Sequence, residues 1–234
     1  MMCVLNAVMA EGRAFRAISL KSTDGTGRAE LGNVDWSCVI DDPGDPDFRD
    51  TTKALFAASE TPIFSFISGT KHLEFTLRRV SDPAEPAFDF VLPEAPDLPL
   101  DDHALIVPTD AMREVMRQGY RSRFRVLATL TAAATTPVYQ FAPPPLAPDA
   151  LIAKLAAKVG DADARASRLV RWKLWRLTVD VFRETAEQLG ARFVDYPPDS
   201  VDADGFMRPE LVRDSSHGNE AFGALILEQI KRLP

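Results

Sequence analysis

The chain of 234 residues, 46% hydrophobic and 26% charged, is long enough to bury one full core and too short for two large domains. Its 27 Lys and Arg stand against 34 Asp and Glu, and the resulting charge of −7 gives no general attraction to phosphate backbones or anionic lipid, so neither nucleic acid nor membrane is expected as the main partner. Cys3 and Cys38 form no CxxC pair or disulfide framework, and His72, His103 and His217 are dispersed, so no metal cluster is expected and the composition fits a reducing, cytoplasmic compartment.

Met1 to Ala10 (MMCVLNAVMA) is a short apolar run with no Lys or Arg before it and Asn6 inside it. It makes a poor signal peptide or membrane span and is expected to pack on the core as a strand or helix end. The segment DGTGRAEL lacks the GK[ST] ending of a phosphate loop. Ser37 to Ile40, Pro62 to Ile67, Pro137 to Phe141 and Arg192 to Tyr196 are short, rich in β-branched or aromatic residues and bounded by turn formers, which predicts strands. Prolines and acids mark loops at Asp41 to Asp47, Leu92 to Asp102 and Ala142 to Pro148, all expected as surface turns. The acidic loop from Leu92 is read as a solvated connector, with a partner-binding strip as the alternative. Apolar residues at spacings of three and four predict helices over Thr109 to Ala134, Ala166 to Leu189 and Glu220 to Leu233. The segment Arg165 to Arg183 interleaves Arg165, Arg168, Arg171, Lys173, Arg176 and Arg183 with Trp172 and Trp175, which reads as a buried aromatic face with a solvated basic face.

Strands alternating with amphipathic helices imply one α/β domain over 1–234, with three α/β/α layers around a short parallel sheet. Ligands of such sheets bind at the carboxyl ends of the strands, so the loops after Ile67, Phe141 and Tyr196 are where chemistry is expected. The sharpest local signal is Asp214-Ser215-Ser216-His217-Gly218-Asn219, directly before the last helix. Asp and His three residues apart can pair, the carboxylate accepting from Nδ1–H and leaving Nε2 as a general base. The same residues also read as an ordinary helix start, with a serine capping the first amides.

DSSHGN running into EAFGALILEQI resembles the last block of the SGNH, or GDSL-type, hydrolases, in which an Asp-x-x-His pair serves a serine nucleophile. PIFSFISGTKHLEF is similar to the third block of a bacterial branch of that superfamily, and FDFVLPEAPDLPL, PVYQFAPPPL and LVRWKLWRLTVDVF to its intervening segments, so that the likeness runs from about Trp36 to the end. The resemblance implies a flavodoxin-like SGNH hydrolase fold and hydrolysis of an acyl or acetyl ester of a small molecule or glycan, with no cofactor. It assigns His217 as base, Asp214 as its orienting acid and Gly69 as the turn of the third block. Thr70 stands where this branch offers an Asn oxyanion donor, a loss worth several kcal/mol of transition-state stabilisation. His72 is then a residue that lines the site or a helix-start histidine without catalytic duty.

The nucleophile block of the family, a Gly-Asp-Ser or Gly-Asn-Ser turn after the first strand, has no counterpart before Ser37. Ser19 and Ser22 lack the glycine turn, Asp24-Gly25-Thr26-Gly27 reads as a surface turn, and Asp199-Ser200 comes too late in the chain. A start placed downstream of the true one, a decaying gene or a catalytically inactive carbohydrate- or protein-binding relative each accounts for this. The expectation is an ester hydrolase of SGNH type with impaired activity, with the binding module as the alternative.

Overall fold

Three of the four runs expected as strands, those at Pro62, Pro137 and Arg192, lie side by side in parallel, while Ser37 to Ile40 belongs to a separate pair. The computed structural model describes residues 15–20, 34–40, 57, 59–68, 72, 87–158, 166–214 and 216–234. Strand β1 (Phe15–Leu20) pairs in parallel with β2 (Val34–Ile40), with a register shift between Ala17 and Ile18. Strand β3 (Ile63–Ser65) begins the main sheet, and β4 (Phe88–Asp89) pairs in parallel with β5 (Leu105–Ile106). Helices α1 (Thr109–Gly119) and α2 (Arg121–Ala133) precede β6 (Val138–Phe141). Helices α3 (Asp149–Lys158) and α4 (Arg168–Gln188), strand β7 (Arg192–Val194) and helix α5 (Glu220–Lys231) complete the order. The main sheet runs β3-β6-β7, all parallel, with Ser65 opposite Gln140 and Gln140 opposite Phe193. The fold is thus mixed α/β with short parallel sheets.

Side-chain alternation along this sheet builds the layers. Successive strand residues point to opposite faces. Phe64, Tyr139, Phe141 and Val194 pack with Phe222, Ile226 and Ile230 of α5 on one face. Ile63, Val138 and Phe193 pack with Leu127 and Leu130 of α2 and Ala186 of α4 on the other. With helices on both faces, all four residues of β6 are buried, as expected of a central parallel strand, Gln140 being its one buried amide.

Helix α4 is the central support. Ser167 caps it, its Oγ accepting from Val170 N–H at 3.2 Å, and the helix ends in a Schellman motif. Gly190 N–H reaches Glu187 O, Ala191 N–H reaches Ala186 O, and Gly190 takes φ +81°, a left-handed conformation for which glycine is the usual residue. That turn reverses the chain directly into β7.

Three expectations change. The helix expected over Thr109 to Ala134 is two, because Tyr120 leaves helical geometry (φ −103°, ψ 8°) to bury its ring against Phe182 and Phe124. The loop from Ala142 to Pro148 is not a surface turn: Pro143, Pro145, Leu146 and Ala147 are buried under α4 and the 205–212 segment. Proline has no N–H to strand, and the exposed carbonyls are answered by Trp175 Nε1–H on Pro144 O (3.0 Å) and Met207 N–H on Leu146 O (2.8 Å). Nor is the basic side of α4 solvated throughout. Arg171 and Lys173 are buried, and Arg168, Arg171, Lys173, Arg176 and Arg183 each pair with a carboxylate, drawn from Asp89, Glu94, Asp149, Asp180, Asp195 and Asp204. The expected element at Met1 to Ala10 and the turns at Asp24 to Gly27 and Asp41 to Asp47 lie outside the described residues. Among the described residues, no helix is long and apolar enough to cross a membrane.

Candidate active site

The segment between β7 and α5 has little regular structure and is shaped by local hydrogen bonds. Single 3-10 turns at Pro198–Ser200 and Pro209–Leu211 alternate with antiparallel bridges, Val201 to Met207 and Val212 to Gly218. The second bridge closes a small loop, with Arg213 N–H donating to His217 O at 2.9 Å. Inside it, Asp214 Oδ1 lies 2.8 Å from His217 Nδ1 and accepts from Ser216 N–H at 2.9 Å. Partial burial raises the carboxyl of Asp214, but the Ser216 amide and the His217 ring more than offset that, holding it below its ordinary 3.8. An ionised carboxylate only accepts, so the proton of a neutral His217 sits on Nδ1 and Nε2 is left basic.

Packing places this turn at the carboxyl end of the sheet. Met207, Leu211 and Phe222, which flank it in the chain, cluster with Phe141 and Val194, the last residues of β6 and β7. Gly218 makes the close approach possible: a Cβ there would meet the Phe222 ring and Cβ at 2.4–2.7 Å. Asn219 then caps α5, its Oδ1 accepting from Ala221 N–H (3.0 Å) and Phe222 N–H (3.3 Å) while its Nδ2 donates to Glu210 O (2.7 Å). The helix start and the Asp-His pair are therefore both present. Asn219 is the cap in place of the expected serine, and the Ser216 N–H donates to Asp214 instead.

Neither family models nor curated proteins match the chain.

The other expected site residues fall in two groups. Gly69 and Thr70 lie outside the described residues. His72 is buried; its N–H donates to the Tyr120 hydroxyl at 3.3 Å and its Nδ1 lies 3.1 Å from the same oxygen. Tyr120 belongs to the cluster of α1 and α4, so these contacts tie His72 to that layer. Burial pushes the His72 imidazole down from 6.5 to about 4. Among the described residues, no group of three or more His, Cys, Asp or Glu is placed to hold a metal ion.

Two polar residues that the sequence reading passed over hold the loop after β3. Ser65 Oγ donates to Gln140 Oε1 at 2.7 Å, and Gln140 Nε2 donates to Ile67 O at 2.8 Å and to Phe141 O at 2.7 Å. Gln140 is fully buried, and these bonds satisfy its amide while fixing where the chain leaves the sheet. The signal was one polar residue inside each apolar run, PIFSFI and PVYQF, in adjacent register.

Of the serines weighed as nucleophile, Ser200 is fully buried and its Oγ donates to Pro197 O at 2.6 Å. Ser216, a candidate cap in the sequence, instead has its Oγ 3.0 Å from Nδ1 of His217 and 3.2 Å from Asp214 Oδ1. Backbone pairing includes Ser19 in β1, whereas Ser22 lies outside the described residues.

Proposed function

We propose that the chain is an SGNH-type hydrolase-like protein in which the Asp214–His217 turn supplies the base and orienting acid of an ester-hydrolysing site. The observation that carries this reading is the 2.8 Å contact between Asp214 Oδ1 and His217 Nδ1 at the carboxyl end of a parallel sheet, with the imidazole side chain 63% exposed. In that role Nε2 of His217 takes the proton of the attacking hydroxyl, and Asp214 stabilises the imidazolium that results. The ester carbonyl oxygen would be held by donors in the loop after β3, whose start at Ile67 is held by Gln140. The substrate class is an acyl or acetyl ester of a small molecule or glycan, and no cofactor takes part.

The sequence offers no Gly-Asp-Ser-like turn, so activity in this chain is expected to be low. The hydroxyls of Ser200 and Ser216, both engaged elsewhere, favour a second reading in which the fold binds a carbohydrate or protein without turning it over. Hydrolysis of p-nitrophenyl acetate separates the two. A slow rate that drops to the buffer rate in His217→Ala, with weak or no fluorophosphonate labelling, is expected; equal rates in the two proteins would leave the binding module.

A further inference from the structure

Among the described residues, the large hydrophobic side chains that stand exposed, Val91, Leu100, Leu105, Ile106 and Val115, all fall between positions 91 and 115. Leu105 and Ile106, the two residues of β5, are 58% and 45% exposed. Neighbouring strand residues face opposite ways, so this strand is uncovered on both faces. Its outer edge is open too. Leu105 N–H donates to Ala87 O (2.7 Å) and Val107 N–H to Asp89 O (2.9 Å), so the main-chain groups of Ile106 turn away from β4, and no third strand joins the pair among the described residues.

This edge is held firmly. Asp89 is gripped by Lys173 Nζ at 3.0 and 3.1 Å and accepts from Asp101 N–H at 3.0 Å, and Thr109 Oγ1–H donates to Val91 O at 2.7 Å. Proteins protect open edges with charge, proline or cover; here the strand itself is Leu-Ile, with Pro108 beside it and charge only in the flanking stretches. The surrounding charge indicates what covers it. Positions 91–115 carry Glu94, Asp97, Asp101, Asp102, Asp110 and Glu114, of which Glu94 pairs with Arg176, while their one Lys or Arg, Arg113, is engaged by Glu184. Nucleic acid and anionic lipid are repelled by such a surface. A second copy fits no better, since it would bring the same acidic stretch of its own against this one.

We propose that the open edge of β5 docks an extended segment of a partner protein that alternates apolar with basic residues and adds to the sheet as a strand. Main-chain bonds to Ile106 supply the register, Leu105 and Ile106 the apolar contact, and the acidic rim the selectivity for Lys and Arg. The inference is independent of His217.

The test uses the full ¹⁵N-labelled chain and a short capped peptide of alternating lysine and valine, with a glutamate-valine peptide as control. Amide shifts confined to residues 87–91 and 100–108, slowed exchange at the Ile106 amide and weaker binding at high salt are expected, with no shifts from the control. Asp102→Lys should weaken binding about fivefold, the effect of one exposed charge contact. Leu105→Thr with Ile106→Thr should abolish it with the circular dichroism unchanged. Shifts that are absent or scattered over the surface, or equal binding of both peptides, would overturn the proposal. So would a dimer in sedimentation that the threonine pair dissolves, which would give the edge to a second copy.

Discussion

Asp214 governs the chemistry of His217 through one hydrogen bond, and that bond has a spectroscopic consequence. With the carboxylate accepting from Nδ1–H, ¹⁵N shifts of the neutral ring should show Nδ1 protonated and Nε2 free. In Asp214→Ala the ring is expected to return to a mixture of tautomers, and an unchanged spectrum would remove Asp214 from any orienting role. Lys173 is a second residue whose surroundings fix the outcome of its loss. Its Nζ is fully buried against both oxygens of Asp89 and the carbonyl of Pro99. Lys173→Met would leave a buried carboxylate with only the Phe90 and Asp101 amides, at a cost of about 3–5 kcal/mol in urea unfolding. Lys173→Met with Asp89→Asn should recover part of that loss, since the uncompensated charge is gone.

At the scale of elements, α5 joins the candidate site to the core, because its first turn carries both the Asn219 cap and the buried Phe222. Asn219→Ala removes the acceptor for two amides and should cost about 1 kcal/mol in thermal or urea unfolding, with added mobility at Glu210, whose carbonyl loses its donor. A cost near zero would mean that water replaces the cap. This helix, the strands of the main sheet and the Asp-His pair were legible in the sequence because each rests on local signals: spacing, β-branched runs and a three-residue offset. What was not legible depended on distant partners. Tyr120 breaks a continuous helical pattern to reach Phe182, and Pro143, Pro145, Leu146 and Ala147 are buried because partners such as Trp175 and Met207 arrive from later in the chain. The basic stripe of α4 looked solvated because its carboxylates come from five separate stretches, among them the acidic proline-rich loop through Glu94. Strands of two residues, such as β4 and β5, carry too little pattern to be read at all.

Across the whole molecule, the layers meet where His72 and Tyr120 connect the chain after β3 to the α1–α2 junction, and this makes acid stability a test of the packing. His72 titrates near 6.5 in the unfolded chain and at about 4 in the fold, where burial disfavours the charged ring. The unfolded state therefore binds the extra proton first. The contribution of His72 is complete above pH 6.5, shrinks as pH falls towards 4, and below that has cost the fold about 3 kcal/mol. Asp214, whose carboxyl lies below its ordinary 3.8, loses its own contribution only at more acidic pH, so the two effects separate along the pH axis. Urea unfolding between pH 7 and pH 4 should show midpoints falling with the slope of one proton, and His72→Gln should flatten that slope while lowering the plateau at pH 7. Because Ile67 is held from the sheet by Gln140, acid should loosen the chain at its His72 end first, with amide exchange at Tyr120 and Phe124 rising before exchange at Phe141. A slope unchanged by His72→Gln would show that the proton uptake belongs to other groups and that His72 does not couple these layers.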